Sequence, residues 1–352
     1  MGKALLFSDL HLHNWTYGSK QIGHWNSRLL VQKNFLSHIA NICKKEEIEC
    51  VFFLGDLFHS HGNLTADIIQ VAYDGLCEIK KSVPGRCAAL VGNHDFMTKD
   101  GKINSLNFLK GTGWHIINGT HSMVFGGFPG ISVGLISYTS DNDDFKKKFE
   151  GFNNGQYDFI FMHQGVQKVL LHNGFELPNE FISAGMIPKE TMAFTGHYHR
   201  HQKVSDNLVV VGSPMQHVWS DSGDPRGYII VDLDTKKWEH REFNAPKFIN
   251  VKMPIDIKDL EPSLCENNYI RLQGDASILE FENMRDYILD NGAFSVEILP
   301  TVKIQPKKFN ANITSLNEAI RAFEKESNVS EEQSEMGRNI RNGTYGTTKY
   351  TN

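Results

Sequence analysis

The chain has 352 residues, 40% of them hydrophobic, with 23 phenylalanines, a formal net charge of −5 and a pI near 6.3. That length suits one large domain plus a smaller one, each with a core. The mild acidity excludes a global basic field of the kind that grips nucleic acid unaided. Cys43, Cys50, Cys77, Cys87 and Cys265 are odd in number, scattered and free of any Cys-x-x-Cys, which reads as buried thiols in a reducing compartment. No signal-peptide pattern and no run of ~18–20 apolar residues occurs, so a soluble, cytoplasmic protein with no membrane association is expected.

Residues 3–8 read as a buried strand ending in Asp9-Leu10-His11. A polar, aromatic loop, Asn14 to Trp25, leads into an amphipathic helix from about Arg28 to Lys45, with Leu29, Leu30, Phe35, Leu36, Ile39 and Ile42 at helical spacing. A second strand, 51–54, runs into Gly55-Asp56-Leu57-Phe58-His59. Thr65 or Asp67 is placed to cap a helix with Ile68, Ile69, Ala72, Leu76 and Ile79 on one face. A third strand, 87–91, ends in Gly92-Asn93-His94-Asp95. This β-α-β-α-β order predicts a parallel sheet covered by helices.

Short β-like runs at 114–117, 121–125, 131–137, 157–162, 191–195, 207–211 and 227–233 predict a second sheet packed on the first, with a charged, solvated helix over 141–151. Two of these runs end in Met162-His163-Gln164-Gly165 and Gly196-His197-Tyr198-His199. A boundary falls near Asn244–Pro246. Beyond it, Phe248–Met253, Tyr269–Leu272, a helix from about Ser277 to Leu289 and Phe294–Ile304 predict a compact βαβ-like unit. An amphipathic helix over Asn312–Ser327, with Ile313, Leu316, Ile320 and Phe323 on one face, precedes a polar tail, Ser330–Asn352, expected to be disordered unless bound. The expected domains are therefore 1–246, 247–308 and 309–352.

Five strand ends thus deliver Asp, Asn or His to one carboxyl edge, where open α/β sheets place their ligands. Two divalent ions ~3.5–4 Å apart need a shared ligand, and a carboxylate is the natural bridge. Asp9 and His11, at i and i+2, are expected to project to one side of an extended segment, with Asp56 bridging. Asn93 and His163 would serve the second ion, and His197 and His199 would be divided between the two. Mixed oxygen and nitrogen donors without thiolate favour manganese, iron or zinc over calcium.

Asp-x-His, Gly-Asp, Gly-Asn-His-Asp, a lone His and Gly-His-x-His, in this order over roughly residues 4–233, resemble the calcineurin-like metallophosphoesterase superfamily. Within it, Gly55-Asp56-Leu57-Phe58-His59 resembles the nuclease subunit of the SbcCD type, the bacterial and phage counterpart of the eukaryotic Mre/Rad break-repair nuclease. Gly212-Ser213-Pro214 followed by Asp224-Pro225-Arg226-Gly227 is similar to the phage members. His59 stands where the protein-phosphatase form of the second motif has Asp.

The resemblance implies a four-layer α/β/β/α sandwich, a small α/β capping domain and a C-terminal partner-binding tail. It implies Asp9, His11, Asp56 and His199 on one metal and Asp56, Asn93, His163 and His197 on the other, with manganese first and magnesium, iron or zinc also compatible. His94 would stabilise the transition state or protonate the leaving oxygen, oriented by Asp95, with His59 a second catalytic group near the phosphate. The implied activity is exonuclease on duplex ends and endonuclease on single strands. Its implied partners are DNA, an SbcC-like ABC-type coiled-coil ATPase and a second copy of this chain. No Gly-x4-Gly-Lys-Ser/Thr loop occurs, so ATP dependence would come from that partner. Two rival readings are an esterase acting on nucleotides or phosphoproteins, and a binding scaffold without catalysis; the second expects lost ligands, and all seven are present.

Blander roles suit the remaining residues. His13, His61 and His201 adjoin the motifs and keep a substrate-side role open, whereas the other histidines read as core or surface residues. Arg226 reads as a structural hydrogen-bonding residue more than a phosphate contact. Trp15, Tyr17 and Trp25 suit either stacking on a base or capping the first helix. Lys146, Lys147 and Lys148 suit a solvated helix face.

Overall fold

The computed structural model describes residues 2–99, 101–125, 130–152, 157–171, 174–177 and 180–301, and beyond them only residues 318, 320, 330, 331, 334 and 335. By its internal contacts the chain divides into Met1–Thr301 and Val302–Asn352. The helix expected over 312–327 and the polar tail fall almost wholly outside the described residues; Glu318 and Ile320 are helical.

The first sheet has the order β14 (Trp238–Glu242), β13 (Gly227–Asp232), β1 (Lys3–Phe7), β4 (Ile48–Phe53), β5 (Cys87–Leu90), β6 (Trp114–Ile117). The second runs β11 (Gln202–Ser205), β12 (Leu208–Val210), β10 (Met192–Gly196), β9 (Phe159–His163), β8 (Ile131–Ile136), β7 (Thr120–Phe125). In the first sheet β1, β4, β5 and β6 are parallel. In the second, β8, β9, β10 and β12 are parallel. Two of the expected second-sheet runs belong elsewhere. Residues 114–117 extend the first sheet beside β5, and 227–232 pair antiparallel with β1. Periodicity in a short apolar run does not say which sheet receives it.

Strands buried on both faces carry continuous apolar runs, and β1 shows how. Ala4 and Leu6 point between the sheets, against Phe161 and Phe194, whereas Leu5 and Phe7 point outward against two helices. Those helices are α1 (Ser27–Lys45) and α2 (Ala66–Lys81). Asn26, in the short β2 (Gln21–Ile22) and β3 (Trp25–Asn26) pair, caps α1 by accepting the amides of Arg28 and Leu29, a contribution of about 1 kcal/mol. In α2 the core face holds Val71 and not Ile69, which is exposed. A third core covers the outer face of the second sheet, where Phe145 and Phe149 of α3 (Asn142–Glu150) pack against Ile160 and Met162. That helix is therefore half core, against the expectation of a wholly solvated one: its two phenylalanines, four apart, lie on one face. The layers read α/β/β/α.

Residues 248–300 form a separate three-stranded parallel sheet, β15 (Phe248–Met253), β16 (Tyr269–Gly274) and β17 (Ser295–Pro300), with α4 (Pro262–Cys265) and α5 (Ile278–Asp290) between them. Its own core gathers Val251, Leu272, Phe281, Met284 and Ile288. Arg28 joins it to the sandwich: this 6%-exposed guanidinium lies over Trp15, Phe248 and Tyr269 at 4.7, 5.3 and 5.5 Å. Among the described residues, no helix is long and apolar enough to cross a membrane.

Candidate metal centre and catalytic site

The ends of β1, β4, β5, β9 and β10 meet at the carboxyl edge of the two sheets, and the polar residues that follow them converge there. The convergence of Asp9 with His11 does not come from an extended pleat. Asp9, His11, Asp56 and His197 all adopt positive φ, at 52, 47, 60 and 89°. Each such non-glycine residue costs roughly 1–2 kcal/mol, and four of the seven proposed ligands carry that strain. Gly55, at φ 99°, has no such choice: a Cβ there would lie 2.3 Å from Nδ1 of His163. At Gly92 a Cβ would lie 2.2 Å from Oδ1 of Asp56. The two glycines let the loops close on each other.

Donor atoms collect in two groups, Asp9–His11–His199 and Asp56–His163–His197. In the first, Nε2 of His11 and Nε2 of His199 lie 3.0 Å apart. In the second, Oδ1 of Asn93 meets Nδ1 of His197 at 2.9 Å and Nε2 of His163 at 3.1 Å. Asp56 stands between them, with Oδ2 at 3.4 Å from His163 Nε2 and 3.8 Å from His11 Nε2. Two buried imidazole nitrogens facing each other, as Nε2 of His11 faces Nε2 of His199, gain from a cation between them, and the neighbouring carboxylates add oxygen donors. Together they fit a pair of divalent cations, with Asp56 shared; six of the seven proposed ligands make up these groups, and Asn93, the seventh, contacts His163 and His197 of the second.

Outer contacts orient the rings, as metal sites require. His163 donates Nδ1–H to the Leu54 carbonyl, leaving Nε2 for the centre. Nδ1 of His199 faces Asp221 at 4.0 Å. The Asp9 carboxylate accepts the His197 amide at 3.1 Å.

The electrostatics follow from burial. Desolvation lifts the Asp9 carboxyl to about 7, against the pull of His163. Burial works to raise Asp56 too, yet His163 and His11 hold it far below the usual carboxylate range. His163 in turn, despite burial, is lifted to about 9 by Asp56. Burial and the His163 charge push His197 down to about 4.

Metal must displace these protons, so affinity should rise with pH. The metal-free fold should show the opposite trend. His163, raised above its ordinary 6.5, contributes stability that is complete below that pH and lost as pH rises through about 9. Asp9, raised above 3.8, loses its contribution on the way to about 7. We expect the melting temperature of chelated protein to fall between pH 6 and 9.5 while that of metal-loaded protein holds, as differential scanning fluorimetry would read; a flat chelated profile would refute the coupling.

His94 sits in a short ladder of imidazoles, stacked on His61 at 5.0 Å and on His59 at 5.6 Å. Its Nδ1–H donates to the His59 carbonyl at 2.8 Å, so Nε2 is the nitrogen left for substrate. That contact corrects the expected role of Asp95 as the residue that orients His94. The Asp95 carboxylate instead accepts the amides of Asp56, Leu57 and Gly92 at 3.0 Å and of Phe58 at 3.3 Å. Burial lifts it to about 7 against those donors. It ties the second and third loops together through their backbones, with Ser105 Oγ as a further, longer donor at 3.5 Å, while the His94 ring is held by the His59 carbonyl. His11, His59 and His94 make a third donor group, but it borrows His11 from the first.

Sequence reasoning passed over His217, Asp221 and Tyr138. His217 is 2% exposed, contacts the Asp9 carbonyl through Nε2 at 3.1 Å, and lies against His11 and His199. Asp221 receives the His217 amide and pairs with Arg226 at 3.1 Å. Tyr138 stacks on His197 at 5.6 Å. Only the segment Pro214–Gly227, noted for its resemblance, could have pointed to the first two. Arg226 is structural, donating to the His199 carbonyl and to Ser213 Oγ. Trp15 packs on His59 at 4.4 Å, Trp25 lies under Lys33 at 4.9 Å, and Lys148 pairs with Asp144.

Residues 2–201 match the calcineurin-like phosphoesterase family. A candidate phosphoesterase, 078R of Invertebrate iridescent virus 3, is 24% identical over 234 residues, which is 62% of this chain and 61% of that protein. The chain thus spans about three-fifths of that relative's length. Among solved structures, a dimetal phosphatase from Danio rerio aligns with 10% identity and a TM-score of 0.42, over 66% of this chain and 92% of that one. GAP50, the anchor in the inner membrane complex of Plasmodium, aligns with 11% identity and a TM-score of 0.43, over 69% and 89%. With more than half its length matched and the family's donors gathered at one sheet edge, the chain belongs to the calcineurin-like phosphoesterase family.

Proposed function

We propose that this phosphoesterase is a dinuclear-metal DNA phosphodiesterase, a duplex exonuclease and single-strand endonuclease forming the nuclease subunit of an SbcCD-like complex. The charge of the groups around the centre carries the reading. Next to the two donor groups lie His13, His59, His61 and His94. Burial and His13 lower His59 to about 4, and burial and Arg28 lower His13, so both are neutral at neutral pH. The arginines bordering the cluster are engaged elsewhere: Arg226 with Asp221 and Asp224, Arg200 with Asp224, Arg28 with the His217 carbonyl. A phosphomonoester carries nearly two negative charges at neutral pH and calls for added cations. A diester carries one, and the neutral imidazoles of His13 and His59 suit it.

Two bound divalent ions, manganese before others, would supply Lewis acidity to the phosphoryl group and to water. The chain's own part is to hold them with Asp9, His11, Asp56, Asn93, His163, His197 and His199, and to place His94 Nε2 at the leaving oxygen. The test is hydrolysis, with manganese, of labelled duplex and single-stranded DNA beside a generic phosphomonoester. Preference for DNA by more than tenfold in kcat/KM is expected; preference for the monoester would move the chain to the nucleotide or phosphoprotein reading.

A net charge of −5 leaves the chain poor in phosphate-neutralising surface of its own. We infer that an ABC-type coiled-coil ATPase and a second copy of the chain supply it, with residues 309–352 docking the ATPase. Co-purification with that ATPase should disappear when 309–352 are deleted; retention at full affinity would refute the docking.

A further inference from the structure

We propose that a side pocket opening on the metal centre receives the nucleobase of the nucleotide next to the scissile phosphodiester. The inference rests on the phosphodiesterase reading and adds to it a substrate subsite. The cavity holds about 320 Å³, and His197 and His199 form part of its lining. Two proposed metal ligands in its wall thus put the cavity next to the centre, where a group bonded to a reacting phosphorus has to be accommodated. One side of the remaining wall is aliphatic and aromatic, with Val169, Leu170 and Leu171 from one loop, Val218 from another, and Tyr198 from the Gly-His-x-His segment itself; Arg200, Ser220 and Asp221 make the polar side.

Leu170 and Val218 are 41% and 42% exposed, although each sits beside a polar metal centre. Neither is a loose surface side chain. Leu170 is gripped from behind by Gln202, whose Oε1 accepts its amide at 2.9 Å and whose Nε2 donates to its carbonyl at 3.3 Å. Lys168, at φ 65°, turns the chain just before it, and the Leu177 amide bonds the Val169 carbonyl at 3.0 Å. Val218 is tied through its amide to Asp221, which is itself paired with Arg226. Two uncovered apolar side chains on backbone that is already anchored present a surface for an apolar partner, and binding need not order that backbone further.

The occupant must be apolar on its faces, polar at its edge and joined to phosphate. A nucleobase has that chemistry, and Arg200, one-third exposed and tethered through Nε to Asp224 at 3.3 Å, lies at the wall to meet a polar edge. Its aliphatic side reads thickness and not hydrogen-bond pattern, so stacking there is tolerant of base identity.

The test uses manganese-loaded enzyme and a short single strand with one phosphodiester among methylphosphonate linkages. A tetrahydrofuran abasic residue is placed on either the 5′ or the 3′ side of that linkage. Removing the base on one side should lower kcat/KM about tenfold, within the range of a single base-stacking contact. In L170S and V218S, two variants on separate segments, the intact-to-abasic ratio should collapse toward one; a ratio taken within each variant cancels any loss of folded protein. Equal cleavage of intact and abasic strands by the wild type would overturn the subsite while leaving the nuclease reading in place, as would a ratio unchanged in both variants. Hydrolysis of small phosphoesters without cleavage of any DNA would overturn both.

Discussion

Asp56→Asn should strip the protein of both ions at once. Asp56 Oδ2 is within 4 Å of an imidazole nitrogen from each donor group, and Oδ1 receives the His94 amide at 2.8 Å. Asparagine keeps the shape but removes the one charge that both ions would share, and its NH2 turns a donor toward them. The loss should exceed the ~10–100-fold in affinity that follows loss of an outer contact. Elemental analysis after loading should fall from about two ions per chain to less than one. A second readout needs no metal. Without the Asp56 charge His163 should return toward its ordinary range, and the fall in stability of chelated protein between pH 6.5 and 9 should flatten. A variant that keeps two ions would refute Asp56 as the bridge.

His94→Ala should do the reverse, leaving about two ions in place while turnover drops by ~10²–10⁴, the usual worth of a positioned acid or base. His94 Nδ1 is spent on the His59 carbonyl, and neither of the two donor groups that flank Asp56 includes its ring. The ring also stacks on His59 and His61 and packs edge-on against His11 at 4.7 Å, so its loss leaves a gap beside one ligand without removing a donor from either of those two groups. Metal content and rate together are the check. Loss of one ion would show that the His11–His59–His94 group holds metal; near-normal turnover would show that the leaving oxygen finds its proton elsewhere.

Much of the architecture was legible because burial on both faces leaves a plain mark. Residues 3–8, 51–54 and 87–91 are short apolar runs followed by polar residues, and a buried strand that must end at a ligand edge has that form. The amphipathic pattern of 28–45 and the capping residues before 68 located the first two helices. What periodicity could not tell was the sheet that each later strand joins, nor that β11 and β14 exist at all: their residues, such as Gln202–Ser205 and Trp238–Glu242, are polar and half-exposed at sheet edges.

The site divides along the same line. Which residue types stand after which strands is a property of the chain, and it alone named Asp9, His11, Asp56, Asn93, His163, His197 and His199. How they face one another is not. The left-handed backbone at Asp9, His11, Asp56 and His197 goes with contacts between loops up to 208 residues apart, such as His217 and the His197 amide on Asp9, and no local preference predicts it. For the same reason only the tertiary structure turned Asp95 away from His94 and toward four backbone amides, brought His217 beneath Asp9, and left Leu170 uncovered in the wall of a cavity that His199 also lines. Local sequence specifies a side chain's chemistry; its partners are set by long-range packing, which one strand end cannot report about another.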